Sequence, residues 1–500
     1  MADDLLVEVL RAAREHGPSP ALTDARGRTL TYRELSTKVL STAHRLRSRG
    51  FEPGNRMLFS VRPGPDAIVL ALGTVAAGGT VVFVDPGVGP ELFASRTGLA
   101  GPGWAAAESL LYAASAPGPL RAIARRRGVL LPDYAALPLR HIRSGPWLPG
   151  VPLRAVSTRS LAAPVADLPL PDPAPDQDAV IVFTSGTTAA PKAVVHTRGS
   201  LAAALRALAV RCELGPGTRV HTDQMMLGLP ALVAGAHWSM PPYGFAPSAD
   251  PTALAAGLTG ATHTFLVPTD LAAILDCGVA LPQSLRQVLL GSAPVLPPLL
   301  KRAREALPDV EFLAVYGMTE ILPVAIATGA EKIAHGGDLL GRPLPGVRAR
   351  IAEDGELVVS GPNMCRGYLG EPPMTEHATG DLARLEDDRI VLTGRKKDMI
   401  LRGKTNVYPG LYEPAIADLP GVAAAVMIGV PDEIGDERIV LAVVPLSDAA
   451  PGLADRVRAA LPALIDAAAL PDEVTVLREL PVSGRTRKVD RSALRELLAR

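Results

Sequence analysis

Between residues 4 and about 315, helical periodicities and short apolar runs take turns along the chain. Leu5, Leu6, Val9, Leu10 and Ala13 recur at helical spacing over residues 4–15. Thr31, with Glu34 three residues on, is a capping-box pattern that opens a second helix, running to about Ser48 and ending at Gly50. Arg56 to Ser60 reads as a strand. A helix from about Pro65 to Ala77, a Gly78-Gly79 turn and a strand Thr80 to Val84 follow. After residue 198 the alternation resumes: helix Arg198 to Val210, strand Thr264 to Val267, helix Asp270 to Leu275, strand Gln287 to Leu290, helix Pro297 to Ala306, strand Glu311 to Val315. Alternation of this kind predicts an α/β fold built on largely parallel sheets covered by helices.

One loop interrupts this pattern. Ala179 to Phe183 reads as a buried strand and Ala193 to Val195 as a strand leading away. Thr184-Ser-Gly-Thr-Thr-Ala-Ala-Pro-Lys192 lies between them. Small hydroxyl residues beside Gly186 bring backbone N–H and O–H donors onto one anion, and Lys192 adds a charge, as in a phosphate-cradling loop. No G-x-x-x-x-G-K-[ST] pattern occurs, and a Ser/Thr-rich hairpin turn is the alternative reading.

The irregular segments carry further expectations. Trp104 to Ala114 reads as an apolar helix. Leu120 to Arg127, with Arg121, Arg125, Arg126 and Arg127, reads as a solvated helix face, or as a contact for anionic lipid headgroups or a carrier protein. Residues 164–177 read as an extended Pro/Asp linker. In His221 to Tyr243, Met225, Met226, Leu229 and Trp238 suit core packing or the wall of an apolar tunnel. Beyond residue 355 the short runs Glu356 to Ser360, Gly367 to Leu369, Asp381 to Ala383 and Arg389 to Leu392 predict a small β-rich subdomain. After the charged boundary Gly394-Arg-Lys-Lys-Asp398, an α+β domain of about a hundred residues is expected, so the division is 1–394 and 395–500.

Composition narrows the function classes. Lys+Arg and Asp+Glu both number 51, and aromatics are 4% of residues. Neither balance favours nucleic acid. Cys212, Cys277 and Cys365 are widely spaced, which fits a reducing compartment and no metal cluster. Met-Ala-Asp-Asp-Leu at the start carries no basic segment followed by an apolar one, so a cytoplasmic protein is expected. The uncharged run Ala67 to Val84 is broken by Gly73, Gly78 and Gly79, and is expected to be a buried helix and strand rather than a membrane span.

Six motifs fall in order: Thr184-Ser-Gly-Thr-Thr-x-x-Pro-Lys192, Tyr316-Gly-Met-Thr-Glu320, Gly355-Glu-Leu357, Thr379-Gly-Asp381, Gly394-Arg395 and Lys488-Val-Asp-Arg491. Together they make the chain resemble the AMP-forming adenylate-forming superfamily of acyl-CoA synthetases, nonribosomal adenylation domains and luciferases. The resemblance implies that a carboxylic acid, fatty or otherwise apolar, attacks ATP to give acyl-AMP and pyrophosphate, and that the acyl group passes to CoA or to a phosphopantetheine thiol on an acyl carrier protein. It implies that Thr184, Ser185, Gly186, Thr187, Thr188 and Lys192 bind phosphates, that Glu320 holds Mg²⁺ and that Thr319 contacts the α-phosphate. Tyr316, in the Tyr316-Gly317-Met318 stretch, would stack on adenine, with Ser292 and Ala293 on the other face. Asp381 would accept from the ribose with Arg395 nearby, and Lys488 would bridge carboxylate and α-phosphate. Lys397 would be the hinge about which the small domain swings, bringing Gly403 and Lys404 to a thiol tunnel. Met225, Gly228 and Val267 are candidates for the acyl pocket.

The chain departs from the family pattern at Ala189 and Ala193, where Gly is usual, at Arg487, and at Lys404. A left-handed backbone at either alanine would cost about 1–2 kcal/mol. Val84-Asp-Pro-Gly-Val-Gly89 and the Leu110 to Arg127 segment are also similar to β-lactone synthetases of olefin biosynthesis, which close a β-hydroxy acid through its acyl-AMP. A non-catalytic nucleotide-binding protein is the reading of another class.

Overall fold

The computed structural model describes residues 4–88, 90–126, 131–184, 192–335, 338–402, 405–407, 409–431, 437–446, 452–465, 469–483 and 488–499. Among them two eight-stranded sheets carry the large N-terminal part. One has the order Gly367–Tyr368, Ala193–Thr197, Asp178–Phe183, Thr80–Phe83, Arg56–Ser60, Trp104–Glu108, Arg140–Ser144, Val156–Ser157. From Asp178–Phe183 outward its neighbours pair in parallel; Ala193–Thr197 runs antiparallel to both its neighbours. The other has the order Ile321–Thr328, Glu311–Met318, Gln287–Leu290, His263–Leu266, Arg219–His221, His237–Ser239, Pro20–Thr23, Thr29–Thr31.

Helices join these sheets through one core, to which Leu35, Leu70, Leu205 and Leu232 of four helices contribute beside Met57, Val81, Val220 and Trp238 of the strands. Local signals set the helix ends. Thr31 accepts from the Glu34 N–H and the Glu34 carboxylate accepts from the Thr31 N–H, the capping box read from sequence, at the start of Tyr32–Arg47. Asp4 caps Leu5–Glu15 through the Leu6 and Val7 N–H groups, and the same carboxylate accepts from Arg198 at 2.7 Å. The Asp4 side chain is 0% and the Arg198 side chain 3% exposed, so this pair ties the first helix to the start of Arg198–Arg211 in a dry setting. Gly73 lets Pro65–Ala76 approach Tyr32–Arg47 closely: a Cβ there would stand 2.5 Å from Thr42 Cγ2. That helix has 12 residues, and no helix among the described residues is long and apolar enough to cross a membrane.

A five-stranded antiparallel sheet follows, ordered Asp338–Gly341, Arg389–Arg395, His377–Glu386, Glu356–Ser360, Arg348–Ile351. Beyond it, Val422–Pro431, Glu437–Pro445 and Glu473–Val476 form a smaller sheet. Ile416, Met427, Leu441, Val457 and Val474 give this small C-terminal part its own core.

Three expectations are corrected. Trp104–Glu108 is a strand, and only Ser109–Ser115 is helical. Trp104 and Ala106 face one core while Ala105 and Ala107 face another, so burial on both faces overrides alanine's helix propensity. Gly367–Tyr368 joins Val194 and Val195 in the first large sheet rather than the small β subdomain. The Glu311 strand does not stop at Val315 but runs to Met318 and returns as the antiparallel strand Ile321–Thr328. Within His221 to Tyr243, Met225–Val233 is a helix. The Pro119–Arg126 helix buries none of its residues, with Leu120 and Ile123 exposed beside its arginines.

Candidate active site

The two strands around the hydroxyl-rich loop form a hairpin, with Phe183 opposite Ala193 and the Thr184 N–H donating to the Lys192 carbonyl at 3.2 Å. Ser185, Gly186, Thr187, Thr188 and Ala189 lie outside the described residues. Ala193 is buried in regular strand and has no left-handed backbone, so it carries none of the strain considered above. Exposed Lys192 turns back over Tyr368, its Nζ 4.8 Å from the ring centroid.

Thr319 and Glu320 occupy the turn between Glu311–Met318 and Ile321–Thr328. The pairing is irregular between Tyr316 and Met318. Gly317 lets the turn pack closely there, because a Cβ would stand 2.4 Å from Leu322 Cδ1 and 3.0 Å from the Ile321 carbonyl oxygen. Three groups from distant segments hold the turn. The Tyr368 hydroxyl donates to Glu320 Oε1 at 3.0 Å. The Cys365 N–H donates to the Glu320 carbonyl at 2.7 Å. His196 Nε2 lies 2.7 Å from the Thr319 carbonyl, to which it donates. Burial lowers the His196 pKa, so the ring is the neutral Nε2–H tautomer, with Nδ1 facing the Ser200 hydroxyl at 3.2 Å. Burial, then the Glu320 carboxylate, raises the Tyr368 phenol, and the same two causes push the Cys365 thiol up to about 11. Both therefore stay protonated near neutrality, and Tyr368 remains a donor.

Glu320 is 8% exposed, and among the described residues its second oxygen accepts no hydrogen bond. No group of three His, Cys, Asp or Glu that could hold a metal ion occurs among those residues. This donor set fits a hard divalent cation that takes one protein carboxylate and fills the rest of its shell with phosphate and water oxygens.

A second cluster adjoins the turn. The Tyr316 hydroxyl donates to Asp381 Oδ2 at 2.7 Å, and Arg395 Nε lies 3.0 Å from Asp381 Oδ1. The Asp381 side chain is 9% exposed and that of Arg395 48%, so the carboxylate sits at the floor of a site and the guanidinium at its rim. Burial, with Asp381 beside it, holds the Tyr316 phenol well above its ordinary range. Gly380 has φ +74°, and its N–H donates to Glu356 Oε1 at 2.7 Å, where the pairing of strand His377–Glu386 is irregular, which aims Asp381. Leu290 and Ala314 are partners in parallel strands, so Ser292 and Ala293 emerge beside Tyr316. Ser292 has φ +64°, a left-handed backbone that a non-glycine residue adopts at a cost of about 1–2 kcal/mol.

Met225, Tyr316 and Met318 all border the same core. Gly228 faces that core, since a Cβ there would fall 1.9 Å from Trp238 Cε2. Val267 is partly exposed at the start of Pro268–Cys277. Lys397 lies in the 3₁₀ turn Lys396–Asp398, and Lys488 in the short strand Lys488–Val489 opposite Ser483; the side chains of both lie outside the described residues, as do Gly403, Lys404 and Arg487. Tyr368 and His196 are absent from the sequence reading of the site. Tyr368 stands 48 residues from Glu320, and no spacing links them.

Residues 9–369 match the model of the AMP-binding enzyme family, and residues 412–487 that of the AMP-binding enzyme C-terminal domain. The chain is 28% identical over 489 residues to a fatty acid–[acyl-carrier-protein] ligase of Streptomyces coeruleorubidus, covering 89% of this chain and 87% of that one. It is 30% identical over 482 residues to a feruloyl-CoA synthase of an Amycolatopsis species, covering 84% and 86%. Among solved structures, an amide bond synthetase from Marinactinospora thermotolerans superposes with a TM-score of 0.80 at 25% identity, covering 99% of each chain. With a family model spanning most of its length, the chain belongs to the AMP-binding enzyme family of the adenylate-forming superfamily.

Proposed function

We propose that this protein is an AMP-forming acid–thiol ligase for a fatty or other apolar carboxylic acid. The observation that carries the reading is the Tyr316–Asp381–Arg395 set beside the Glu320 turn, facing the hairpin that ends in Lys192. In the first half-reaction a carboxylate oxygen of the acid attacks the α-phosphorus of ATP. The bond to the β-phosphate breaks, and pyrophosphate leaves. The Thr184 to Lys192 loop holds the β- and γ-phosphates, and Thr319 meets the α-phosphate. Asp381 accepts from the ribose hydroxyls, while Tyr316 and the Ser292–Ala293 backbone flank the adenine. Lys488 stabilises the charge that builds on carboxylate and α-phosphate in the transition state. Glu320, through its open oxygen, would hold a magnesium ion that neutralises phosphate charge. Holding the reactants in line accounts for much of the acceleration expected of such a site.

In the second half-reaction a thiol sulfur attacks the acyl carbonyl, and AMP leaves with the electron pair of the mixed anhydride bond. Residues 395–500 swing about Lys397 between the two steps, exchanging Lys488 for the Gly403–Lys404 face. The acceptor is CoA or the phosphopantetheine arm of a carrier protein. The carrier-protein option is supported by the similarity to the fatty acid–[acyl-carrier-protein] ligase.

ATP–pyrophosphate exchange across acyl chain lengths, with and without β-hydroxyl groups, tests this reading. Exchange with apolar acids and a thioester product on adding CoA or a loaded carrier supports it. A product that has lost water without any thiol would replace the second step by β-lactone closure. ATP binding with no exchange for any acid, in the presence of Mg²⁺, would leave a nucleotide-binding protein and overturn the enzyme.

A further inference from the structure

The strands of the first large sheet from Asp178–Phe183 outward run in parallel, so the sheet has two unlike edges. The Thr184 to Lys192 loop leaves one edge, after Phe183. At the opposite edge, where Trp104, Arg140 and Val156 begin their strands, lies a cavity of about 490 Å³. A five-residue strand separates the two edges, roughly 15 Å.

The cavity is lined by the guanidinium-bearing Arg49, Arg140 and Arg154, by His141, and by an apolar wall of Trp104, Leu139, Pro152, Ala155 and Val156. None of its lining residues is acidic. Among the described residues no carboxylate pairs with Arg49, Arg140 or Arg154. Arg140 is fixed in place: it donates to the Arg49 carbonyl at 2.6 Å and lies 5.2 Å from the Trp104 ring centroid. Gly50 makes the seat for it, because a Cβ there would stand 2.8 Å from Arg140 Nη1 and because its φ is +81°. His141 adds no charge near neutrality, since burial lowers its pKa and its ring nitrogens are engaged by Tyr112 and Leu137. Leu153, next to the cavity residues Pro152 and Arg154, is 89% exposed.

Three arginines line this concavity with no acidic residue among them, Arg49 Nη1 donating to the Arg45 carbonyl at 3.1 Å, and the guanidinium fork matches phosphate oxygens two at a time. We propose that this cavity is a second anion site, remote from the adenylating centre, that takes a phosphate monoester with a compact apolar body. The proposal is independent of the reaction assigned above. The same chemistry is offered by a free phosphorylated metabolite and by a phosphatidic acid headgroup, whose acyl chains Leu153 would meet.

The full-length protein and the Arg49→Gln/Arg154→Gln double variant are compared in two arms. The first is calorimetric titration with phenyl phosphate. The second is co-sedimentation with phosphatidylcholine vesicles with and without phosphatidic acid. Both substituted side chains are exposed and lie outside the reaction machinery, so ATP–pyrophosphate exchange in the variant should match the parent. Loss of two of three cations should weaken phenyl phosphate binding by at least about tenfold. Arginine-dependent binding of phenyl phosphate supports the site with a soluble ligand. Arginine-dependent sedimentation with phosphatidic acid alone supports it with a lipid headgroup. No binding in either arm, or equal binding by parent and variant, overturns it.

Discussion

Replacing Tyr316 by phenylalanine removes one atom and isolates the contribution of the buried carboxylate it serves. The lost bond is 2.7 Å long, to an oxygen of a side chain 9% exposed. Hydrogen bonds to charged groups contribute about 1.5–3 kcal/mol. Arg395 remains on the other carboxylate oxygen, and because it is half-exposed it can follow the carboxylate, which puts the expected loss at the low end, about 1.5 kcal/mol. At about 1.4 kcal/mol per tenfold, KM for ATP should rise about tenfold. The aromatic face is kept, so kcat at saturating ATP should stay within about threefold. ATP–pyrophosphate exchange under varied ATP reads both quantities. A double-mutant cycle with Asp381→Asn completes the argument, since the phenylalanine substitution should cost much less once the charge is gone. If Tyr316→Phe lowers the thermal midpoint but leaves KM for ATP unchanged, the cluster is structural and Asp381 does not position the nucleotide.

Lys488→Ala should suppress exchange by about a hundred- to thousandfold while circular dichroism is unchanged; parental exchange rates would remove Lys488 from the mechanism. Asp4→Ala strips a helix of its cap and leaves the Arg198 guanidinium buried and unpaired, so urea denaturation should show a loss of about 3–5 kcal/mol. A loss under about 1 kcal/mol would mean that water reaches Arg198. Burial, with Arg219 nearby, lowers the His221 pKa to about 4 from an ordinary 6.5. The unfolded chain therefore takes up a proton that the folded chain refuses. Its contribution to stability is full above about pH 6.5 and is lost as pH falls towards about 4. The urea midpoint should drop between pH 7 and pH 5, and His221→Gln should flatten that drop; an unaltered slope would contradict the assignment.

Much of the fold is written locally. Thr31 and Glu34 announce their helix because a cap is a contact over three residues. The glycine-led motifs announce the candidate site because their spacing is short. Trp104–Glu108 escapes for the opposite reason: buried on both faces, it shows no period-two alternation, and its three alanines favour helix in isolation. Gly367–Tyr368 escapes because its partner strand lies more than 170 residues earlier, so nothing within reach of its own sequence marks the pairing. Tyr368 and His196 escape with it, being site residues through what the sheet brings near them. Ala193 taught the reverse lesson: a residue suspect by comparison with a pattern sits in ordinary strand backbone.

The order in which the chain is synthesised has a consequence for the sheet that holds the loop. Its first strand, Arg56–Ser60, and its hairpin, Asp178–Phe183 with Ala193–Thr197, leave the ribosome early. Until Gly367 and Tyr368 emerge, Ala193–Thr197 is a bare edge, open to pairing with another chain. Likewise Pro20–Thr23, paired early with Thr29–Thr31, waits for its other neighbour, His237–Ser239. A nascent chain cut short before residue 367 would thus present unfinished edges of the kind chaperones cover. The strand that seals the edge also carries the hydroxyl that aims Glu320, so completion of the sheet and arming of the carboxylate are a single event.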